Sequence, residues 1–424
     1  MIETTSCTNC TVIPSPSHPE LVGWASEPEG RGTLGLLTTS LTTIFLCTWV
    51  VIHPRVYRKE AFATWHKLAL LLKTLLAPEL IAIEGLQEWA QCRRMVEDCS
   101  NLSYGEFQLT HAYFISMLAL RYQTPDGNRV IWPNQYTWLL EQGLAGWKDS
   151  ASWGLSLEQI EDKNKTDSIT KLITLLQVLW FVATCIMRAV NALPLSQMES
   201  MTLSYIPLFA ITYFFWWQKP KDILSPSIVQ LPEMSSEQMD VFESMALSEK
   251  FDEGKTPASY WSIWYLTPRV FEKEEQDRTQ EARHQALQQL GLSDTEIPAT
   301  KETVVAHWDP DLYRSKTIRL LCSLFGASFG ALHLACWNTA FPTAAEMWIW
   351  RVSSFVSIFS LLAFMHFEKV ILRWDGLMTI VKIGSPALYF ISRVLMMGEV
   401  FAALRAVDPD VYKTYEVSNY GFHL

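Results

Sequence analysis

Residues 168–190 read SITKLITLLQVLWFVATCIMRAV, with Lys171 and Arg188 near the two ends and no acid anywhere. A helix rises about 1.5 Å per residue, and a bilayer core is about 30 Å thick, so about 20 mainly apolar residues suffice to cross it. This stretch meets that requirement, and it sets the scale for the rest of the chain. Seven further stretches resemble it: Thr33–His53, Lys67–Gln87, Gly105–Arg121, Met198–Trp217, Ile318–Asn338, Ala345–His366 and Leu377–Arg405. The third is short and polar, and a re-entrant segment is its alternative. The last is long enough to project past the bilayer. Together they predict an all-α fold, a polytopic transmembrane helical bundle of about eight spans.

The composition agrees. Of 424 residues, 49% are hydrophobic and only 18% are charged, where soluble chains carry nearer a quarter. Eighteen tryptophans fit a chain whose rings sit at membrane interfaces. The organisation expected is a polar lumenal segment over 1–32, a first group of helices over 33–217, an acidic soluble loop over 218–315, a second group over 316–405 and a tail over 406–424. The loop holds 18 acids and 10 bases, so it carries −8 of the net −10. That acidity argues against nucleic acid as a partner. Its stretch Phe271–Leu290 is rich in helix formers and ends at Gly291, which predicts a helix there.

Basic residues in short loops mark the cytoplasmic side. With eight spans and a lumenal N-terminus, that side collects Arg55, Arg58 and Lys59, then Arg129, Lys148, Lys163 and Lys165, then Lys219 and Lys221, then Lys369 and Arg373. The opposite loops hold Arg93 and Arg94. Asn9 and Asn101 then head lumenal glycosylation sequons. Residues 1–30 have no basic start and no apolar run, so they do not read as a signal peptide. Four of the eight cysteines, Cys47, Cys185, Cys322 and Cys336, sit in apolar segments and read as small hydrophobes.

Ionisable groups inside such segments cost roughly 2.5–3.5 kcal/mol each, and they face the bundle interior or a cavity. The apolar stretches carry Glu79, Glu84 and Glu88 around Pro78, Arg188 before Glu199, His333 before Glu346 and Arg351, and Arg393 before Glu399. Each pair would be explained by helix joining, and the whole set is better explained by a polar cavity. A desolvated carboxyl there serves as a general acid. Trp180, Phe181, Trp337, Trp350 and Tyr389 stand beside these positions, where aromatic faces either pack or stabilise a cation. Glu79 is the first candidate acid and Glu199 the second. Glu346 and Glu399 complete the candidate acids, and His111 and His333 are candidate relays. Arg188, Arg351 and Arg393, with Trp180, Phe181 and Trp337, would line the substrate. No phosphate loop, serine elbow, magnesium-binding acid box, zinc motif or histidine-rich box occurs, so no metal and no cofactor is expected.

Several motifs resemble a large group of filamentous-fungal integral membrane proteins. They are Gly30-Arg31-Gly32-Thr33, Cys47-Thr48-Trp49, Leu76-Ala77-Pro78-Glu79, Gln177-x-x-Trp180-Phe181, Trp217-Gln218-Lys219-Pro220, His333-x-x-x-Trp337 with Phe341-Pro342-Thr343 and Glu346, and Arg393 before Glu399. The resemblance extends to membrane-bound terpene cyclases of the ascofuranone type. It implies an isomerase of secondary metabolism in the endoplasmic reticulum, which protonates the epoxide of an apolar, epoxidised terpenoid or meroterpenoid and closes an ether or carbocycle. One departure stands out. Where the group carries His-x-Phe-Phe-Ala-Asp-Met-Gly-Gly, this chain reads His111-Ala-Tyr-Phe-Ile-Ser116-Met-Leu-Ala119, with Ser116 in place of the acid. Two other classes stay open: a proton-coupled transporter of an apolar metabolite, and a non-catalytic scaffold whose acidic loop gathers other biosynthetic enzymes.

Overall fold

A computed structural model describes residues 21–26, 31–56, 60–103, 105–125, 127–147, 156–164, 168–245, 316–337, 339–367 and 377–414. Among them are twelve α-helices: α1 (Thr33–Val51), α2 (Glu60–Leu76), α3 (Pro78–Ser100), α4 (Leu109–Ser116), α5 (Pro133–Glu141), α6 (Leu157–Lys163), α7 (Ser168–Val190), α8 (Gln197–Phe215), α9 (Ser236–Ser244), α10 (Lys316–His333), α11 (Ala344–Phe367) and α12 (Leu377–Ala402). The expected helix at Phe271–Leu290 and the sequon at Asn9 lie outside the described residues.

Three of these helical segments are long and apolar enough to cross a membrane: Thr33–Val51, Ile169–Val190 and Gly384–Arg405. Their surfaces agree with that. Along α7, Ile169, Leu172, Leu175, Leu176, Leu179, Ile186 and Val190 are exposed, while Glu79, Arg188, His333 and Arg393 are buried. Apolar groups outside and charges inside invert the arrangement of a water-soluble domain.

Two of the expected spans are corrected. The stretch Lys67–Gln87 is two helices. Pro78 opens α3 at its first position, and Ala77 before it leaves helical geometry at φ −143° and ψ 66°. Proline has no N–H to continue the ladder, and it pushes the preceding residue out of the α region. The chain therefore restarts, and α3 runs on through Arg93 and Arg94 to Ser100.

The stretch Gly105–Arg121 is not a span at all. It forms the eight-residue α4, turns at Leu118 (φ 64°) and enters a strand. Its apolar run, Ala112–Ile115, is buried wholly in protein. The fold is thus mostly helical and not purely so. Strands β1 (Leu120–Thr124), β2 (Gly127–Val130) and β3 (Ser227–Val229) form a sheet in the order β2-β1-β3. β1 pairs antiparallel with β2, Thr124 opposite Gly127, and parallel with β3, Arg121 opposite Ile228.

α3 packs against α2, α4, α5, α8 and α10. α10 approaches α11 closely at Gly330, where a Cβ would meet Ile358 Cγ1 at 2.5 Å, Ser357 Oγ at 2.7 Å and the Ser354 carbonyl at 2.9 Å. The missing side chain lets His333, one turn on, settle against Trp350, whose indole N–H donates to the His333 carbonyl at 3.1 Å.

Candidate functional site

The break at Ala77 organises the site. A helix end leaves its last carbonyls without helical donors, and here other helices supply them. The Tyr205 hydroxyl donates to the Leu75 carbonyl. The Arg393 Nε donates to the Leu76 carbonyl at 2.8 Å. Just beyond the break, Glu79 is 1% exposed and accepts from the Tyr389 hydroxyl at 2.7 Å and from Arg393 at 3.4 Å. The Arg393 guanidinium lies 3.5 Å from the centroid of the Phe329 ring, a close cation–π contact. α2, α3, α8, α10 and α12 thus meet at one point.

Beside this point the side chains close on a narrow cleft whose free volume, about 0 Å³, does not admit even a water molecule. Leu75, Leu76, Met201, Met396 and Met397 make its apolar walls, and Tyr205, Phe329, His333 and Arg393 complete them. His333 is fully buried. Its Nδ1 lies 2.7 Å from the Phe329 carbonyl, and its Nε2 has no hydrogen-bond partner. A carbonyl only accepts, so Nδ1 carries the hydrogen. In the neutral ring, Nε2 then presents a lone pair.

Two more carboxylates of α3 are paired in the same way. Glu84 bonds Lys73, and Glu88 bonds Lys219 at 2.6 Å. Lys219 is 7% exposed and stands 4.3 Å over the Trp216 ring. Burial pushes its ammonium below the usual lysine range, and Glu88 opposes that shift.

Residues 7–302 match a family described as a family of unknown function (DUF8562). The chain belongs to that family. No curated protein matches the chain, and no solved structure does. The DUF8562 match takes in the break at Ala77, Glu79 and Tyr205, whereas Phe329, His333, Tyr389 and Arg393 come from helices beyond it.

Of the residues singled out in the sequence, Glu79, His333 and Arg393 come together here. Glu199 sits instead in a capping box at the start of α8, bonded by the Ser196 N–H and hydroxyl at 2.9 Å each, and it pairs with Arg31. Glu346 caps α11 with Thr343 and pairs with Arg405. Glu399 is 6% exposed, and its Oε1 has no partner. Arg351 lies 4.2 Å over Trp337 and donates to the Trp337 carbonyl at 2.6 Å. His111 accepts the Gln108 N–H at 2.9 Å and packs on Phe107 and Trp147. Trp180 faces outward and Phe181 is buried. Asn101 is exposed just after α3, as a sequon requires. Ser116, at the departure from the fungal pattern, meets the Cys92 thiol at 3.5 Å.

Arg188 is a clamp on backbone. It donates to the carbonyls of Pro194, Asp410, Val411 and Lys413, all at 2.9–3.2 Å. Nearby, the Tyr412 hydroxyl meets Thr33, and Val22 pairs with Val407. Hydrogen bonds to a charged group contribute about 1.5–3 kcal/mol each. Arg188→Ala is therefore expected to lower stability by at least about 3 kcal/mol and to open residues 406–414 to protease. An unchanged unfolding midpoint and an unchanged digestion pattern would refute the clamp.

No local pattern marks Tyr205, Phe329 or Lys73 as partners. Tyr205 and Phe329 read as ordinary apolar positions, and Lys73 as an interruption of an apolar run.

Proposed function

We propose that the chain is a multi-pass membrane enzyme of the endoplasmic reticulum that closes a ring on an epoxidised terpenoid or prenylated aromatic substrate, in fungal secondary metabolism. The observation that carries this is the His333 imidazole, held with an unpartnered Nε2 in an apolar cleft beside Arg393. The substrate class follows from the resemblance to membrane-bound terpene cyclases, and the methionine, leucine and aromatic walls suit it once the closed cleft opens to admit the substrate.

The proposed step conserves mass. A substrate hydroxyl gives its proton to Nε2 as its oxygen attacks an epoxide carbon. The C–O bond of the epoxide breaks, and its oxygen is held by Arg393. The imidazolium then returns the proton to that oxygen. In this reading the proton transfer belongs to His333. Glu79, with both oxygens engaged, positions Arg393 and Tyr389.

Membranes containing the protein are to be incubated with epoxidised prenyl-aromatic and epoxy-terpene substrates. The expected product has unchanged mass and a new retention time. Unconverted substrate across the panel would count against the cyclase.

One observation favours a second reading. Glu79, Glu84 and Glu88 lie along a single helix, each beside its own cation, as in a proton path. Movement of an unaltered apolar metabolite into sealed vesicles, driven by a proton gradient, would favour transport.

A further inference from the structure

A second polar site lies where α1 and α8 end and α2 and α7 begin. His53 follows α1, with its Nδ1 held on the Val51 carbonyl at 2.7 Å, and its ring packs 5.5 Å from that of Trp216. Lys219 stands 4.3 Å over the same indole. The Trp216 N–H is buried and has no partner, and the residue is only 6% exposed. Lys219 spends one hydrogen bond on Glu88. Lys171 makes ring contacts with Tyr213 and Trp217, at 5.6 and 5.7 Å.

Lys171, Lys219 and Lys221 bear electrostatically on His53, and the carboxylates Glu88 and Asp222 bear on Lys219 and Lys221 respectively. Lys219 and Lys221 are each 7% exposed, and burial holds the Lys221 ammonium down to about 8. Lys221 has a structural duty, since it donates to the Trp49 and Val50 carbonyls at the end of α1. Lys67 pairs with Asp222 at 2.9 Å. Neither duty accounts for the unpartnered indole N–H or for the remaining donors of Lys219.

We propose that the corner formed by His53, Trp216 and Lys219, with Lys171 at its rim, binds a phosphate group. A phosphate oxygen would accept from the Trp216 N–H and from Lys219, and its negative charge would sit among Lys171, Lys219 and Lys221. The site lies beside the exposed ring of Trp217, with aromatic and basic side chains together of the kind that meets lipid headgroups. The phosphate would come from an anionic lipid or from a soluble phosphate compound.

The test is thermal unfolding of the full chain in a neutral detergent. Three additions are compared: phosphatidic acid in mixed micelles, phosphatidylcholine in mixed micelles, and inorganic phosphate, with sodium chloride at matched ionic strength as the control. A saturable rise of several degrees with phosphatidic acid, and none with phosphatidylcholine, supports the site and names a lipid headgroup. The same rise with inorganic phosphate names a soluble source. No rise with either phosphate, or an equal rise with sodium chloride, overturns the proposal.

Trp216→Phe keeps the ring under Lys219 and removes the N–H, and it is expected to weaken the phosphate effect at least fivefold. Lys171→Gln, at a side chain that makes no hydrogen bond, is expected to weaken it about threefold while folding normally. Unchanged phosphate affinity in both variants would also overturn the proposal. The outcome is independent of any turnover at the His333 cleft.

Discussion

Arg393→Met is expected to cost about 3–5 kcal/mol of stability, the range found when one partner of a buried ion pair is removed. The guanidinium does three things at once. It donates to the Leu76 carbonyl at the break, it pairs with Glu79, and it covers the Phe329 ring. Methionine fills much of the volume and replaces none of these. Glu79 would keep the Tyr389 hydroxyl and lose its counter-charge. The second half of the cycle separates charge from packing. Glu79→Gln in the Arg393→Met background removes the stranded carboxylate, so the double variant is expected to be more stable than Arg393→Met alone. Unfolding midpoints in one detergent give all four corners of the cycle. If the two single effects simply add, Glu79 and Arg393 are not energetically coupled, and the site is held by helix packing alone.

The parts of the fold governed by short-range rules were legible in the chain. Residues 168–190 are apolar over the length of a span, and α7 has those same bounds. α1, α8, α11 and α12 begin and end within a few residues of the stretches that marked them. The failures share one physical origin, which is that an apolar run does not say what covers it. His111–Ala119 is apolar because it is packed inside protein, and its length of helix is eight residues.

The strand that follows had a local signal, the turn-forming Thr124-Pro125-Asp126-Gly127. That signal is local and says nothing of which strands pair with it, and β3 joins from 100 residues further on. A proline such as Pro78 signals a bend on its own, but a full restart depends on donors that come from α8 and α12 to hold the freed carbonyls. For the site, residue type was enough to single out Glu79, His333 and Arg393. Their convergence was not, since Arg393 meets Glu79 across 314 residues of chain. The same distance effect hid Lys219, which reads as a loop charge and proves to be the partner of Glu88, 131 residues away.

His333→Asn is expected to lower kcat by about 10²–10⁴, the range that a positioned acid–base group supplies, with little change in KM. The choice of asparagine follows from the geometry. Its amide nitrogen takes the place of Nδ1 and donates to the Phe329 carbonyl, so the local helix keeps its hydrogen bond. What disappears is Nε2, the one nitrogen of the ring without a partner. A purely structural histidine would tolerate this exchange, because the bond that fixes it survives. A histidine that moves a proton would not.

His333→Ala supplies the complementary measurement, since it opens room for a free imidazole beside Arg393. Added imidazole is expected to restore part of the turnover to the alanine variant and none to the asparagine variant, whose side chain still fills the space. Full turnover by His333→Asn would remove His333 from the chemistry. The proton would then have to pass through Tyr389 and Glu79, the remaining hydrogen-bonded pair at the helix break.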